Sequence, residues 1–282
     1  MIEFFADFLD AVRTVPVTRY ALLAGLVSSL TFGVVGSLVV VRQISYIASA
    51  IAHSILGGIG AAVYFGRVHD LPWLTPMVGS IIAGAISVAL IGWVTLRFKE
   101  REDTIISAIW ATGMAAGLLF LHYAPGKAMN LESFIFGNIL LTSKDDVTMT
   151  FALGLLVIGL VVLFYHKLVS VSFDEEFTLL RGVSSKAYHF LLLGLIAMSV
   201  VLMVRLVGLF LAQALLVLPA ATASRFSRSL GVIMVIAVVL AAVANTAGLA
   251  VSYGFDIPTG PFIVFIAVGF YALSFLLRRK RA

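Results

Sequence analysis

Stretches of about 20 apolar residues recur along the whole chain, each closed by a short polar or basic break, and that is the length a helix needs to cross a hydrocarbon core. They fall at 17–41, 44–66, 74–96, 104–123, 147–166, 187–204, 207–224, 229–252 and 261–277. Lipid offers no partner to backbone N–H and C=O groups, so such stretches must be helices. The pattern predicts an all-α polytopic bundle of eight or nine spans. The ambiguity lies at 187–224, where two spans turn near Arg205 and Gly208 or else form one broken helix. At about 30 to 35 residues per span and loop, 282 residues leave no room for a soluble domain, and one membrane domain is expected across 1–282.

Three segments stand apart from this rhythm. Over 1–13, Ile2, Phe4, Phe5, Phe8, Leu9 and Val12 alternate with Glu3, Asp7 and Asp10 at roughly helical spacing, which predicts an interfacial helix and does not resemble a signal peptide. Residues 124–146 form an outer connection with an apolar centre, too long to be an idle loop. Residues 167–186 form the longest inner connection, where Asp174, Glu175 and Glu176 precede an FTLL run and then Arg181 and Gly182, the composition of a short helix with acids at its start.

Charge fixes an orientation. Nine alternating spans place Arg42, Arg97, Lys99, Arg101, Lys167, Arg181, Lys186, Arg225, Arg228 and the basic tail 278–281 on one side, thirteen of the 19 basic residues. That side is cytoplasmic by the positive-inside bias, which explains the net charge of +5 without nucleic acid. With 61% hydrophobic and 12% charged residues, against about 25% charged in soluble domains, the chain is expected to be integral to a membrane, in contact with lipid. The absence of cysteine removes disulfides, thiolate ligands and thiol nucleophiles together.

Ionisable residues deep in a span are costly and therefore candidates for function. His53 lies mid-way along the second span, and Ser49, His53, Gly57 and Gly60 share one helical face, with the glycines expected to leave open volume. It is either a histidine hydrogen-bonded between helices or a ligand of zinc or a neighbouring metal. His69 and His122 at outer ends, and His166 and His189 at inner ends, read as solvated. Glu132, Asn138 and Asp256 fall at the outer vestibule, and Asn245 is polar within a span. Gly113 and Gly117 form a GxxxG, which marks close helix packing. No GxxxxGK[ST], HExxH or GxSxG occurs, so nothing in the sequence reads as an ATPase or an intramembrane hydrolase, and uphill transport would draw on a gradient or on another subunit.

Four segments in order resemble the membrane permeases of bacterial ABC importers for zinc, manganese and ferrous iron. RQISYIASAIAHSILGG carries Arg42, Ser45, Tyr46, His53 and Gly57. FIFGNIL carries Phe136, Gly137, Asn138 and Leu140. FDEEFTLLRG resembles the family's cytoplasmic coupling segment through Phe173, Asp174, Glu176, Phe177 and Gly182. The closing pair runs from Gly208 through Pro219 and Thr222 to Gly248, Tyr253, Asp256 and Gly260. Two positions depart from the pattern: Ser49 stands where the family usually has aspartate, and Leu56 where it usually has proline.

The resemblance implies a permease that binds no permanent cofactor, passes a divalent metal ion as cargo, and works as a homodimer. Its implied partners are a cytoplasmic ABC ATPase, which binds ATP and docks at Asp174, Glu176, Phe177, Arg181 and Gly182, and an extracytoplasmic metal-binding protein. His53 and Ser49 are implied for the metal path, with Glu132 or Asp256 supplying a carboxylate. Two other readings stay open: a gradient-driven secondary transporter, against which no acid is found in the central third of any span, and a membrane scaffold in which His53 is structural.

Overall fold

The computed structural model describes residues 8, 10–97, 102–126, 143–173, 175–180, 182, 184–255 and 257–278. Every element assigned among them is a helix: α1 Pro16–Val41, α2 Ser45–Val68, α3 Pro76–Arg97, α4 Glu102–Tyr123, α5 Lys144–Leu163, α6 Tyr165–Phe173, α7 Glu175–Leu180, α8 Ser185–Ser224, α9 Leu230–Phe255 and α10 Thr259–Arg278. Seven of these, α1 to α5, α9 and α10, are long and apolar enough to cross a membrane on their own, and α8 contains two shorter apolar helices, 185–201 and 208–224. The protein is a multi-pass helical membrane bundle.

Helix ends follow local chemistry. Pro16 opens α1 at a position where the missing N–H costs nothing. At α5, Ser143 Oγ accepts the Asp146 N–H at 3.2 Å while the Asp146 carboxylate accepts the Ser143 N–H at 3.1 Å. This reciprocal cap starts the helix three residues before the apolar stretch that announced it. After Phe164 closes α5, residues 165–173 form α6, so part of the expected fifth span and part of the inner connection make a separate short helix. Gly182, at φ +73°, follows α7 where a side chain would be strained.

The ambiguous stretch resolves at Gly208, whose φ of 78° and ψ of 167° interrupt α8. The two halves run back on each other. Tyr188, near the start of α8, packs its ring 5.9 Å from Phe164, while the neighbouring Tyr165 hydroxyl lies 3.6 Å from where a Cβ on Gly231 would sit, just past the end of α8. Both ends of this 40-residue helix therefore reach the same side of the bundle. Thr95 and His189, joined at 2.7 Å, place the inner end of α3 there too. Arg225, 3.6 Å above the Phe275 ring, adds the end of α10. Among the described residues, these contacts bring the ends of α3, α5, α8 and α10 to one side of the bundle.

α8 joins two groups of helices. On one side α1 runs antiparallel to α9, where buried Asn245 donates to the Gly25 carbonyl at 3.0 Å and to Ser29 Oγ at 2.7 Å. On the other, α2 packs against α3 and α4 through glycines. A Cβ on Gly57 would meet the Gly113 carbonyl at 2.8 Å, one on Gly117 the Leu56 carbonyl at 2.5 Å, and Gly60 abuts the Gly117 carbonyl. The volume expected beside Gly57 and Gly60 is thus occupied by the α4 backbone, because without a hydrophobic drive in lipid helices associate by close backbone approach. Phe32, Leu38, Ile51, Ile55, Leu192 and Ile196 fill the centre. Of the expected interfacial helix, residues 1–7 and 9 lie outside the described residues, and Phe8 is buried edge-on against Tyr253 at 6.3 Å.

Candidate functional site

His53 sits where α2, α4 and the second half of α8 converge. The sequence places Ser49 one helical turn before it, and α-helical geometry brings the Ser49 carbonyl within 2.7 Å of His53 Nδ1. A carbonyl can only accept, so Nδ1 carries the proton and Nε2 is the basic nitrogen, the form in which imidazole binds a metal ion. The ring is 7% exposed and is held edge-on by Trp110 at 5.2 Å and Phe210 at 6.5 Å, which fixes its plane.

Two cavities meet at this ring. One, of about 280 Å³, is lined by Tyr46, Ser49, His53, Ser107, Trp110 and Gln213 among others. The second, of about 530 Å³, shares Tyr46, Ser49, His53, Trp110 and Gln213 and continues along α8 to Leu218 and across to Val264. Both open on a face where Tyr46, Trp110 and Phe210 are 37%, 42% and 47% exposed. The site is therefore a polar cluster inside an aromatic rim, reachable from the surface of the bundle.

Gln213 is the polar residue that the sequence reading passed over. Its Nε2 donates to Ser49 Oγ at 2.6 Å across 164 positions of sequence, and Ser49 Oγ donates in turn to the Ser45 carbonyl at 3.2 Å. The signal was present as a single amide in the apolar run LFLAQALLVL. His189, read as solvated, is instead buried and bonded to Thr95, because α3 packs against the first half of α8 that carries it.

Glu132, Asn138, Asp256, Asp174 and Arg181 lie outside the described residues, and the side chains of Glu176 and Phe177 are likewise not described. Gly182 and the backbone of α7 are, with Leu179 and Leu180 exposed beside buried Thr178. Gly113 and Gly117 line up on α4 against α2, and Pro219 is buried in the second half of α8, where its missing N–H breaks one helical hydrogen bond. Among the described residues no three His, Asp or Glu side chains gather into a group that could hold a metal ion.

Comparison with known proteins settles the family of the chain. Residues 14–278 match the family model described as the ABC 3 transport family. The chain belongs to that family. It is 40% identical over 266 residues to a "Probable metal transport system membrane protein" of Chlamydia muridarum, covering 94% of this chain and 90% of the relative. It is 28% identical over 274 residues to the "Manganese transport system membrane protein MntC" of Halalkalibacterium halodurans, covering 97% and 91%. Among solved structures, PsaBC from Streptococcus pneumoniae in complex with Fab superimposes with a TM-score of 0.85 at 27% identity, over 96% of this chain and 95% of that one. The protein is a multi-pass membrane permease of a bacterial ABC transporter family, seated in the cytoplasmic membrane.

Proposed function

We propose that the chain forms the translocation path of an ATP-driven importer for a divalent transition metal, manganese or zinc foremost and ferrous iron as a further cargo. The observation that carries this is the His53 geometry: an imidazole with Nδ1–H committed to the Ser49 carbonyl and the Nε2 lone pair beside two cavities. A few coordinating groups that hold a metal ion weakly suit a conducting site, since an ion bound too well is not released. Relatives named for manganese transport favour that cargo.

The exposed aromatic rim of Tyr46, Trp110 and Phe210 fits coverage by a second copy, so that the path runs between two chains and each brings its own His53. A carboxylate from Glu132 or Asp256 would complete the ligand set from the outer side, where an extracytoplasmic binding protein delivers the ion. At the inner side, α7 with Leu180 86% exposed suits the groove of a separate ATPase, through Asp174, Glu176, Phe177, Arg181 and Gly182. ATP binding there would draw the two ATPases together, push α7, and alternate access to the path. Co-reconstitution with the partner ATPase tests the energy source. Uptake of manganese that requires ATP inside the reaction supports an ABC importer. Uptake driven by an ion gradient without ATP assigns the chain to secondary transport.

A further inference from the structure

Ser49 orients two side chains at once. Its carbonyl takes the His53 Nδ1 proton at 2.7 Å, and its hydroxyl takes the Gln213 Nε2 proton at 2.6 Å. With its hydroxyl hydrogen given to the Ser45 carbonyl at 3.2 Å, Ser49 Oγ accepts from Gln213. In this arrangement the carboxamide has its nitrogen toward Ser49 and its oxygen away from it. Gln213 and His53 line the same two cavities, one from α8 and one from α2. No acid joins them among the described lining residues.

We propose that Gln213 is the second protein ligand of the cargo ion, offering its amide oxygen opposite His53 Nε2, with Ser49 as the residue that positions both. This rests on the metal-import reading above. A neutral nitrogen and a neutral oxygen leave the charge of a divalent ion uncompensated until a carboxylate joins them, so the pair by itself binds weakly and releases readily. The donors also set preference, because an amide oxygen suits a hard ion such as Mn²⁺ better than it suits Zn²⁺, which is content with nitrogen. The pair spans α2 and the second half of α8, so any relative movement of these helices opens or closes it.

The full-length permease, purified in lipid nanodiscs, is titrated with Mn²⁺ and with Zn²⁺ as wild type, Gln213→Ala, Gln213→Glu, Ser49→Ala and His53→Ala, with thermal melts to confirm folding. Gln213→Ala should lower Mn²⁺ affinity about tenfold and Zn²⁺ affinity less, so that the ratio of the two shifts toward zinc. Ser49→Ala should shift the ratio the same way, which a purely structural role would not do. Gln213→Glu keeps the shape, adds a charge and should raise Mn²⁺ affinity at least as far in the opposite direction. Should Gln213→Ala fail to fold, Gln213→Glu decides alone. Wild-type affinity and ratio in the Gln213 variants, with binding lost in His53→Ala, would overturn the role of Gln213 while leaving the metal path in place. Wild-type affinity in all variants, His53→Ala included, would overturn both.

Discussion

The Ser49 carbonyl lies 2.7 Å from His53 Nδ1, one helical turn apart on α2, and this single contact decides which nitrogen of the imidazole is available. It predicts that the resting protein holds His53 as the Nδ1–H tautomer. Solid-state NMR of isotope-labelled histidine should show this form, with Nε2 shifting on addition of a divalent ion. A resting Nε2–H form would mean that the ring faces the path with a donor and cannot take metal without rearrangement. Because a proton and a metal ion compete for Nε2, apparent metal affinity should fall as the pH is lowered, by at most about tenfold per pH unit.

The glycines of α2 and α4 make a stability prediction that does not depend on transport. A Cβ at Gly117 would lie 2.5 Å from the Leu56 carbonyl, and one at Gly57 would lie 2.8 Å from that of Gly113, both backbone atoms that cannot step aside. Gly117→Ala and Gly57→Ala should each cost about 1–3 kcal/mol by overpacking and lower the melting temperature in detergent. Gly159→Ala and Gly269→Ala, where a Cβ meets nothing within 4 Å, should leave it unchanged or raise it slightly.

The return of α8 on itself at Gly208 predicts where labels attach. The chain contains no cysteine, so single cysteines can be introduced without removing others. Ser184→Cys and Ser229→Cys, flanking α8, should react with a membrane-impermeant maleimide from the same side, and Thr75→Cys from the opposite one. Reaction of the first two from opposite sides would mean that α8 crosses once. Gly208→Ala should reduce folded yield, since φ +78° is costly for any residue with a side chain.

Most of the helical frame could be read from the chain because a span has a fixed length and a basic inner end. The apolar stretches at 17–41, 44–66 and 229–252 lie within three residues of α1, α2 and α9 at either end. The cap at Ser143 and Asp146 starts α5 three residues ahead of its apolar stretch, inside what reads as loop. His189 reads as solvated at a helix end and is instead buried by contact with α3, a neighbour that no local pattern names. Gln213 was hidden for a related reason. One amide in an apolar run is compatible with any interhelical hydrogen bond, and only the folded chain brings it to Ser49.

The inner surface carries its own test. Glu176→Lys combined with Phe177→Ala should abolish co-purification of the ATPase while the permease still elutes as a folded species. Retained co-purification would move the contact away from α7, with Arg225 and Arg228 as the next candidates.

The central claim is that His53 carries the cargo, and uptake measures it most directly. Proteoliposomes holding the permease and its ATPase, as wild type and as His53→Ala at equal incorporation and with ATPase co-purification intact, are loaded with ATP and supplied with radioactive manganese. The account predicts that His53→Ala loses uptake by about a hundredfold, at the upper end of what loss of one metal-site residue costs. Uptake by His53→Ala at the wild-type rate would contradict it and leave His53 as a packing residue between Trp110 and Phe210.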